Sequence, residues 1–276
     1  MKIYIMTDLE GVAGVLNFED WCAPSSRYYE TAKKFLTLEV NAAIDGFFDG
    51  GATEVVVADG HGWGGVNIDL LDPRADMMRG WSPGPYPVGL DSTFAGVAWI
   101  GQHPKAGTEY GHLCHTQGFD FIDLSINGIS VGEFGQVALC ANELGVRPIF
   151  GSGDRAFTLE AQALTPGIET VAVKYGLTPG SGDEASEYEY ERRNMAAVHV
   201  QPVRACAMIR EGAKKAMKLA GAGPYHGIDI SAPYERIARF RNTDKEPKRI
   251  AKATHPSSVI GVMNEKWILR EMMSDE

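Results

Sequence analysis

Cysteine is scarce. The 276-residue chain has four (Cys22, Cys114, Cys140, Cys206), far apart and without metal-finger spacing. That excludes a disulfide scaffold and a thiolate zinc finger, and it suits a reduced, cytoplasmic protein. Cations are also in deficit. Lys and Arg total 26 against 36 Asp and Glu, a formal charge of -10. Such a balance argues against nucleic acid or an anionic membrane surface as a main partner. The run KEPKR at 245–249 is too short and mixed to change that. No apolar stretch is long enough to span a bilayer. The first apolar run is short and broken by Asp8 and Glu10, so no signal peptide is expected. A P-loop is missing, and few arginines lie near the candidate strand ends, which weighs against phosphate chemistry. There is no internal repeat and no low-complexity segment.

What is present suits an ordinary globular protein: 44% hydrophobic residues, and a length for one large domain or two modest ones. Strand-like runs alternate with helix-like ones. KIYIMT, EVVVADG (54–60) and GVAWIGQH (96–103) read as buried strands. Between the first two, Leu36, Val40, Ala43 and Phe47 recur at helical spacing, and Gly50-Gly51 supplies a stop. FIDLSINGISVGE reads as two short strands about an Asn127-Gly128 turn. A helix is predicted from near Gly132 to Gly145, then strands at 147–154 and 169–176. The pattern predicts an α/β fold, a three-layer sheet with helices on both faces, over residues 1–194. A helical stretch over about 187–220 contains Pro202 near its middle. Residues 195–276 read as a smaller α+β unit, with strands in YHGIDIS and ARFRN and a strand running into a helix in VIGVMNEKWILREMM.

The informative pattern lies just past the end of each strand. The first ends in Asp8-Leu9-Glu10, the second in Asp59-Gly60-His61-Gly62, the third in Gly101-Gln102-His103. The turn after Asn127 leads to Glu133 at a helix start. Residues two apart in an extended chain point the same way, so Asp8 and Glu10 would repel unless a cation or a shared proton lies between them. Ligands of open α/β sheets bind beyond the carboxyl ends of the strands. Asp8, Glu10, His61, His103 and Glu133 can therefore converge. Two imidazoles and three carboxylates suit Zn, Mn or Fe. One carboxylate shared between two ions would explain the close Asp8/Glu10 pair. Two such ions activate water and polarise the carbonyl it attacks.

Each residue also has a plainer reading. His61 sits in a Gly-rich turn, His103 precedes Pro104, and Glu133 suits the first turn of a helix. Asp59 and Asp154 read as turn or capping residues. The segment 103–119 holds His103, His112 and His115, and one of them suits proton transfer near neutrality. Cys114 adjoins His115, but neighbours along an extended chain point apart, which disfavours a cysteine nucleophile. His199, His226 and His255 have no ligand-like neighbours.

The ordered set D-L-E-G (8–11), L-T-L-E-V-N (36–41), V-A-D-G-H (57–61), G-L-D-S-T-F-A-G (89–96), G-Q-H (101–103), C-H-T (114–116), N-G-I-S-V-G-E-F-G (127–135), G-D-R-A (153–156) and A-V-K (172–174) resembles the DppA-type zinc-dependent D-aminopeptidases. The resemblance spans at least residues 1–175. It implies two zinc ions per subunit: Asp8 as the bridging carboxylate, Glu10 and His61 on one ion, His103 and Glu133 on the other. It implies His115 as the catalytic histidine. It further implies an α/β domain with a smaller α+β domain, and a ring-shaped homo-oligomer of two stacked pentamers, a decamer. The implied substrates are short peptides with a free N-terminal D-residue, such as D-Ala-D-Ala. The loop from His103 to His115 is one residue longer than the family pattern, which makes His112 the alternative. The context Cys114-His115-Thr116 favours His115. Trp63 and the loop NFEDWCAPSS (17–26) depart from the pattern, and a bulky ring beside the site bears on substrate choice.

The expected activity is thus that of a binuclear metallo-aminopeptidase. Two rivals stand beside it: a binuclear metal amidase or phosphoesterase on another small molecule, and a catalytically silent protein that captures peptides through the metal site.

Overall fold

The β-branched runs of the sequence form the middle of a mostly parallel sheet. The computed structural model describes residues 1–80 and 86–273. In chain order its elements are β1 (Lys2–Thr7), α1 (Phe18–Trp21), α2 (Tyr29–Asp49), β2 (Glu54–Asp59), β3 (Ala75–Met78), β4 (Gly96–Gln102), β5 (Phe121–Ile126), β6 (Ile129–Ser130) and α3 (Glu133–Leu144). Then come β7 (Pro148–Asp154), α4 (Arg155–Leu164), β8 (Glu169–Gly176), α5 (Glu187–Arg193), β9 (Ala197–His199), α6 (Pro202–Ala220), β10 (Tyr234–Phe240), β11 (Arg249–His255), α7 (Val259–Asn264) and β12 (Leu269–Glu271).

The larger sheet has the order β3-β2-β1-β4-β7-β8-β9. Its strands are parallel except β9, which pairs antiparallel with β8 at one edge. Ile5 lies opposite Val57 on one side and Ala98 on the other. Such strands are covered on both faces, so they read as continuous apolar runs. On one face α2 and α6 pack Leu36, Val40, Phe47, Ile209 and Ala213 against Ile3, Ile5 and Phe150. The two helices approach closely at Gly46, where a Cβ would come within 2.2 Å of the Arg210 carbonyl oxygen. The opposite face carries Trp99, Phe134 and Phe157, with ring centroids 4.6 and 5.3 Å apart in turn. The helices on both faces of the sheet match the three-layer expectation.

A second, antiparallel sheet has the order β12-β11-β10-β5-β6 and shares that second core through Leu124, Ile126, Ala238 and Ala251. It draws strands from both sides of residue 195, and α6 packs on the larger sheet.

Several local expectations need correction. Pro202 is not inside a long helix. It is the first residue of α6, where its missing N–H costs nothing, and Gln201 caps the helix. The short strand β9 separates α5 from α6. YHGIDIS forms no strand, and in the C-terminal segment the helix α7 precedes the strand β12 rather than following one. Strands β3 and β11 were not expected. Among the described residues no helix is long and apolar enough to cross a membrane.

Candidate metal centre

Strand order places the site. The chain leaves β1 through α2 to β2 on one side, and after β3 it returns to β4 on the other. The switch point lies between β1 and β4, at their carboxyl ends, where open α/β sheets bind ligands. Asp8 and Glu10 follow β1, His61 follows β2, and His103 follows β4. Glu133 arrives from the first turn of α3. The sequence-predicted five thus share one cavity of about 710 Å³ with His115.

The backbone at the strand ends is adapted to this convergence. Gly101 has φ +77° and a Cβ there would lie 2.1 Å from the Asp8 carbonyl oxygen. The ladder from β4 to β7 shifts register between Ile100 and Gln102. Such a bulge re-aims the residues after it, here Gln102 and His103. The turn at 59–64 is held by Arg79, whose Nη1 donates to the carbonyls of Asp59 (2.9 Å) and His61 (2.7 Å) and whose Nη2 donates to that of Gly62 (2.7 Å). Asp59 itself accepts from the Gly65 amide at 2.8 Å, and Asp154 caps α4 by accepting from the Ala156 amide. Both are the turn and capping residues that the sequence suggested.

Asp8 divides its two oxygens between two groups. Its Oδ1 lies 3.4 Å from His61 Nδ1, which is also 3.3 Å from Glu10 Oε2. Its Oδ2 lies 3.1 Å from His103 Nε2, which is 3.7 Å from Glu133 Oε2. The far nitrogen of each ring is engaged by backbone: His61 Nε2 with the Cys22 carbonyl at 2.7 Å, and His103 Nδ1 with the Pro104 carbonyl at 2.9 Å. A ring whose one hydrogen is spent on a carbonyl turns a lone pair toward the carboxylates. Lone pair against carboxylate is repulsive unless a second proton or a cation lies between. The Oε2 atoms of Glu10 and Glu133 are buried without a hydrogen-bond partner. Glu133 Oε1, in contrast, accepts the Gln117 amide. Gln102 Nε2 donates to Asp8 Oδ2 at 3.1 Å.

This donor set fits metal ions. Imidazoles oriented by carbonyls on their outer nitrogens are the usual support of metal-binding histidines. Ligand atoms of Asp8, Glu10 and His103 lie within 4.8 Å of one another, as do those of His103, His115 and Glu133. Electrostatics agree. Burial works against a charged ring at His61, but the Glu10 and Asp8 carboxylates outweigh it and raise its pKa to about 11. At His103 burial is likewise overcome by Glu133 and Asp8, giving about 10. Burial would raise Asp8, yet the two imidazoles hold it well below the usual carboxylate range. Burial lifts Glu133 to about 7.

The two loop histidines part company. His115 lines the cavity. Its ring stacks on His103 at 3.8 Å, and its Nδ1 donates to the Leu113 carbonyl at 2.8 Å. Burial and the neighbouring His103 cation hold its pKa down to about 3. His112 points elsewhere, with Nε2 on the Leu16 carbonyl at 3.1 Å, and does not line the cavity. Cys114 is buried against Tyr190 and Asn194. Arg79 and the Cys22 carbonyl escaped the sequence reading, since nothing in their local sequence ties them to His61.

Fold and site together define an α/β protein with a cluster of oxygen and imidazole donors at its switch point. A family model for D-aminopeptidases, Peptidase_M55, matches residues 1–249. The chain belongs to this D-aminopeptidase family. A D-aminopeptidase of Bacillus subtilis (strain 168) is 34% identical over 176 residues, covering 63% of this chain. That match spans 64% of the relative's own length. The fold also resembles a solved structure described as a Zn-dependent D-aminopeptidase DppA from Bacillus subtilis, a self-compartmentalizing protease. That likeness has a TM-score of 0.79 at 23% identity, over 95% of this chain and 94% of the other.

Proposed function

We propose that the chain is a binuclear zinc aminopeptidase that hydrolyses short peptides with a free N-terminal residue, of D-configuration as in D-Ala-D-Ala. The observation that carries this reading is the divided Asp8 carboxylate, with one oxygen toward His61 and Glu10 and the other toward His103 and Glu133. Asp8, Glu10 and His61 would hold one ion, and Asp8, His103 and Glu133 the second. Bound metal would supply an acidified water and a Lewis acid for the scissile carbonyl.

The chain's own residues do the rest. The Nδ1–H of His115 is spent on Leu113, so Nε2 carries the lone pair that takes a proton. In the reaction, water oxygen bonds to the carbonyl carbon and gives a proton to His115 Nε2. The C–N bond then breaks, and His115 returns that proton to the leaving amine. The products are the free amino acid and the shortened peptide. The stacked His103 ring fixes the plane of His115, and the Leu113 carbonyl fixes its tautomer.

The Bacillus subtilis structure is of a protein described as self-compartmentalizing. We extend that to this chain as a homo-oligomer, a decamer, located in the cytoplasm, where its four unpaired cysteines would stay reduced. The test is release of free alanine from D-Ala-D-Ala and L-Ala-L-Ala by the zinc-loaded protein. Cleavage of the D-peptide alone is expected. Cleavage of neither peptide would overturn the reading.

A further inference from the structure

The cavity wall carries a feature the hydrolysis does not use. Trp63, two residues after His61, is 58% exposed at the edge of the cavity, and its ring lies 6.1 Å from the His61 imidazole. Phe18, the first residue of α1, stands beside it at 6.3 Å. Phe119 braces Phe18 edge-on at 5.2 Å and lies 4.6 Å from His115, so the aromatic row has Trp63 at its His61 end and Phe119 at its His115 end. Neither Trp63 nor Phe119 belongs to either apolar core of the protein. Phe18 packs partly on the first core, and the indole beside it offers exposed apolar surface to a ligand in the cleft.

The proton source sets which part of a peptide meets it. The two halves of the donor cluster match in charge, with Asp8, Glu10 and His61 beside Trp63 and Asp8, Glu133 and His103 beyond. The half on the other side holds His115, which the leaving amine needs as its proton source. A substrate laid across the site therefore puts its free amine on the His61 side and its leaving group on the His115 side. The side chain of its first residue, on the carbon that bears the amine, then falls next to Trp63 and Phe18. We propose that Trp63 and Phe18 form the subsite for the N-terminal side chain, and that the chain prefers a bulky apolar first residue, aromatic above all, over alanine. This rests on the aminopeptidase reading above.

Single-residue amides vary only that side chain. With the zinc-loaded protein, kcat/KM for D-phenylalaninamide should exceed that for D-alaninamide by at least about tenfold, the usual worth of well-packed apolar groups in a pocket. Trp63→Ala and Phe18→Ala should each pull the ratio toward one, and Trp63→Phe should restore most of it. Calorimetric binding of two uncleavable amines, D-phenylalaninol and D-alaninol, gives a readout independent of turnover. The aromatic amine should bind at least about tenfold tighter, and Trp63→Ala should remove the difference. A ratio near one in the native protein would overturn the subsite. So would a ratio that survives both alanine substitutions, or a preference seen for D-Ala-D-Phe over D-Ala-D-Ala instead. A binding preference without cleavage of any amide or peptide would keep the subsite and reject the aminopeptidase reading.

Discussion

Two polar clusters flank the turn after β1, and both combine carboxylates with imidazoles, the second adding a lysine. One comprises Asp8, Glu10, His61, His103, Glu133 and His115. The other, beneath the turn, comprises Glu39, His112, Asp154, Lys174 and His199, and all but His199 are buried. Burial does not separate them, whereas Lys174 gives the lower cluster a cation of its own. In both, burial and neighbours shift the titrating groups: Glu39 is raised by burial to about 8 and Lys174 lowered by it to about 8. What differs is where the polar atoms go. In the lower cluster all but Asp154, which accepts the His112 and Ala156 amides, bond the backbone of residues 12–16. Glu39 accepts the Ala13 amide and His199 the Gly14 amide. Lys174 donates to the Val12 and Val15 carbonyls, and His112 to that of Leu16. None of these side chains lines the cavity. Each cluster keeps two buried polar atoms without partners, Glu10 Oε2 and Glu133 Oε2 in the upper one and Glu39 Oε2 and His112 Nδ1 in the lower, but the upper one opens on the cavity and turns imidazole lone pairs toward carboxylates. The lower cluster shapes a turn, and the upper one is arranged to receive cations.

Substitutions on the two sides should therefore fail differently. The largest effect is expected from His61→Ala or His103→Ala. Each removes a donor proposed to bind metal directly, so activity should fall by more than the roughly 10–100-fold typical of outer-shell changes. Zinc content by mass spectrometry should fall with it. Next comes His115→Ala, which should cost about 10²–10⁴-fold in kcat and leave two zinc ions bound. Full activity in this variant would remove His115 from the reaction. Arg79→Ala frees the 59–62 turn that carries His61 and should weaken zinc binding by about 10–100-fold, measured by chelator competition.

Metal binding should also depend on pH in a set direction. His61 and His103 keep their protons to about 11 and 10, so a metal ion must displace them near neutrality. Zinc affinity should rise with pH, about tenfold per unit for each proton released. Calorimetry in buffers of different ionisation enthalpy counts those protons. In the metal-free protein the sign runs the other way. Both pKa values are raised above the ordinary 6.5, so the stability they contribute is complete below that pH and is lost as pH climbs through 10 to 11. The smallest effect on turnover is expected from His112→Ala. It strips the Leu16 carbonyl of its donor and should cost about 1–3 kcal/mol of stability, while kcat stays within about threefold. Thermal melting and kinetics on the same sample separate the two.

The same contrast bears on how far the sequence could be read. Asp8, Glu10, His61 and His103 were legible because each interrupts or ends a β-branched run, and parallel strands bring such ends together. Glu133 was legible from its helix start after the Asn127-Gly128 turn. The separation of His112 from His115 was not legible from spacing, because three residues along an irregular loop fix no relative direction. Leu113 adopts φ +52° between them, and family context alone favoured His115. Arg79 and the Cys22 carbonyl act across the fold on His61. Strands β3 and β11 and the order of α7 and β12 were missed for a related reason. β3 and β12 are edge strands and β11 lies one strand in, and their mixed burial gives neither a continuous apolar run nor a clean alternation. YHGIDIS has the alternation without a neighbour to pair with.

Asp8 must hold two ions at once for this chemistry to operate. Anomalous diffraction at the zinc edge from zinc-loaded crystals tests that most directly. The expected result is two peaks per chain, one between Asp8, Glu10 and His61 and one between Asp8, His103 and Glu133, separated by about 3.5–4 Å. A single peak, or none at Asp8, would contradict it.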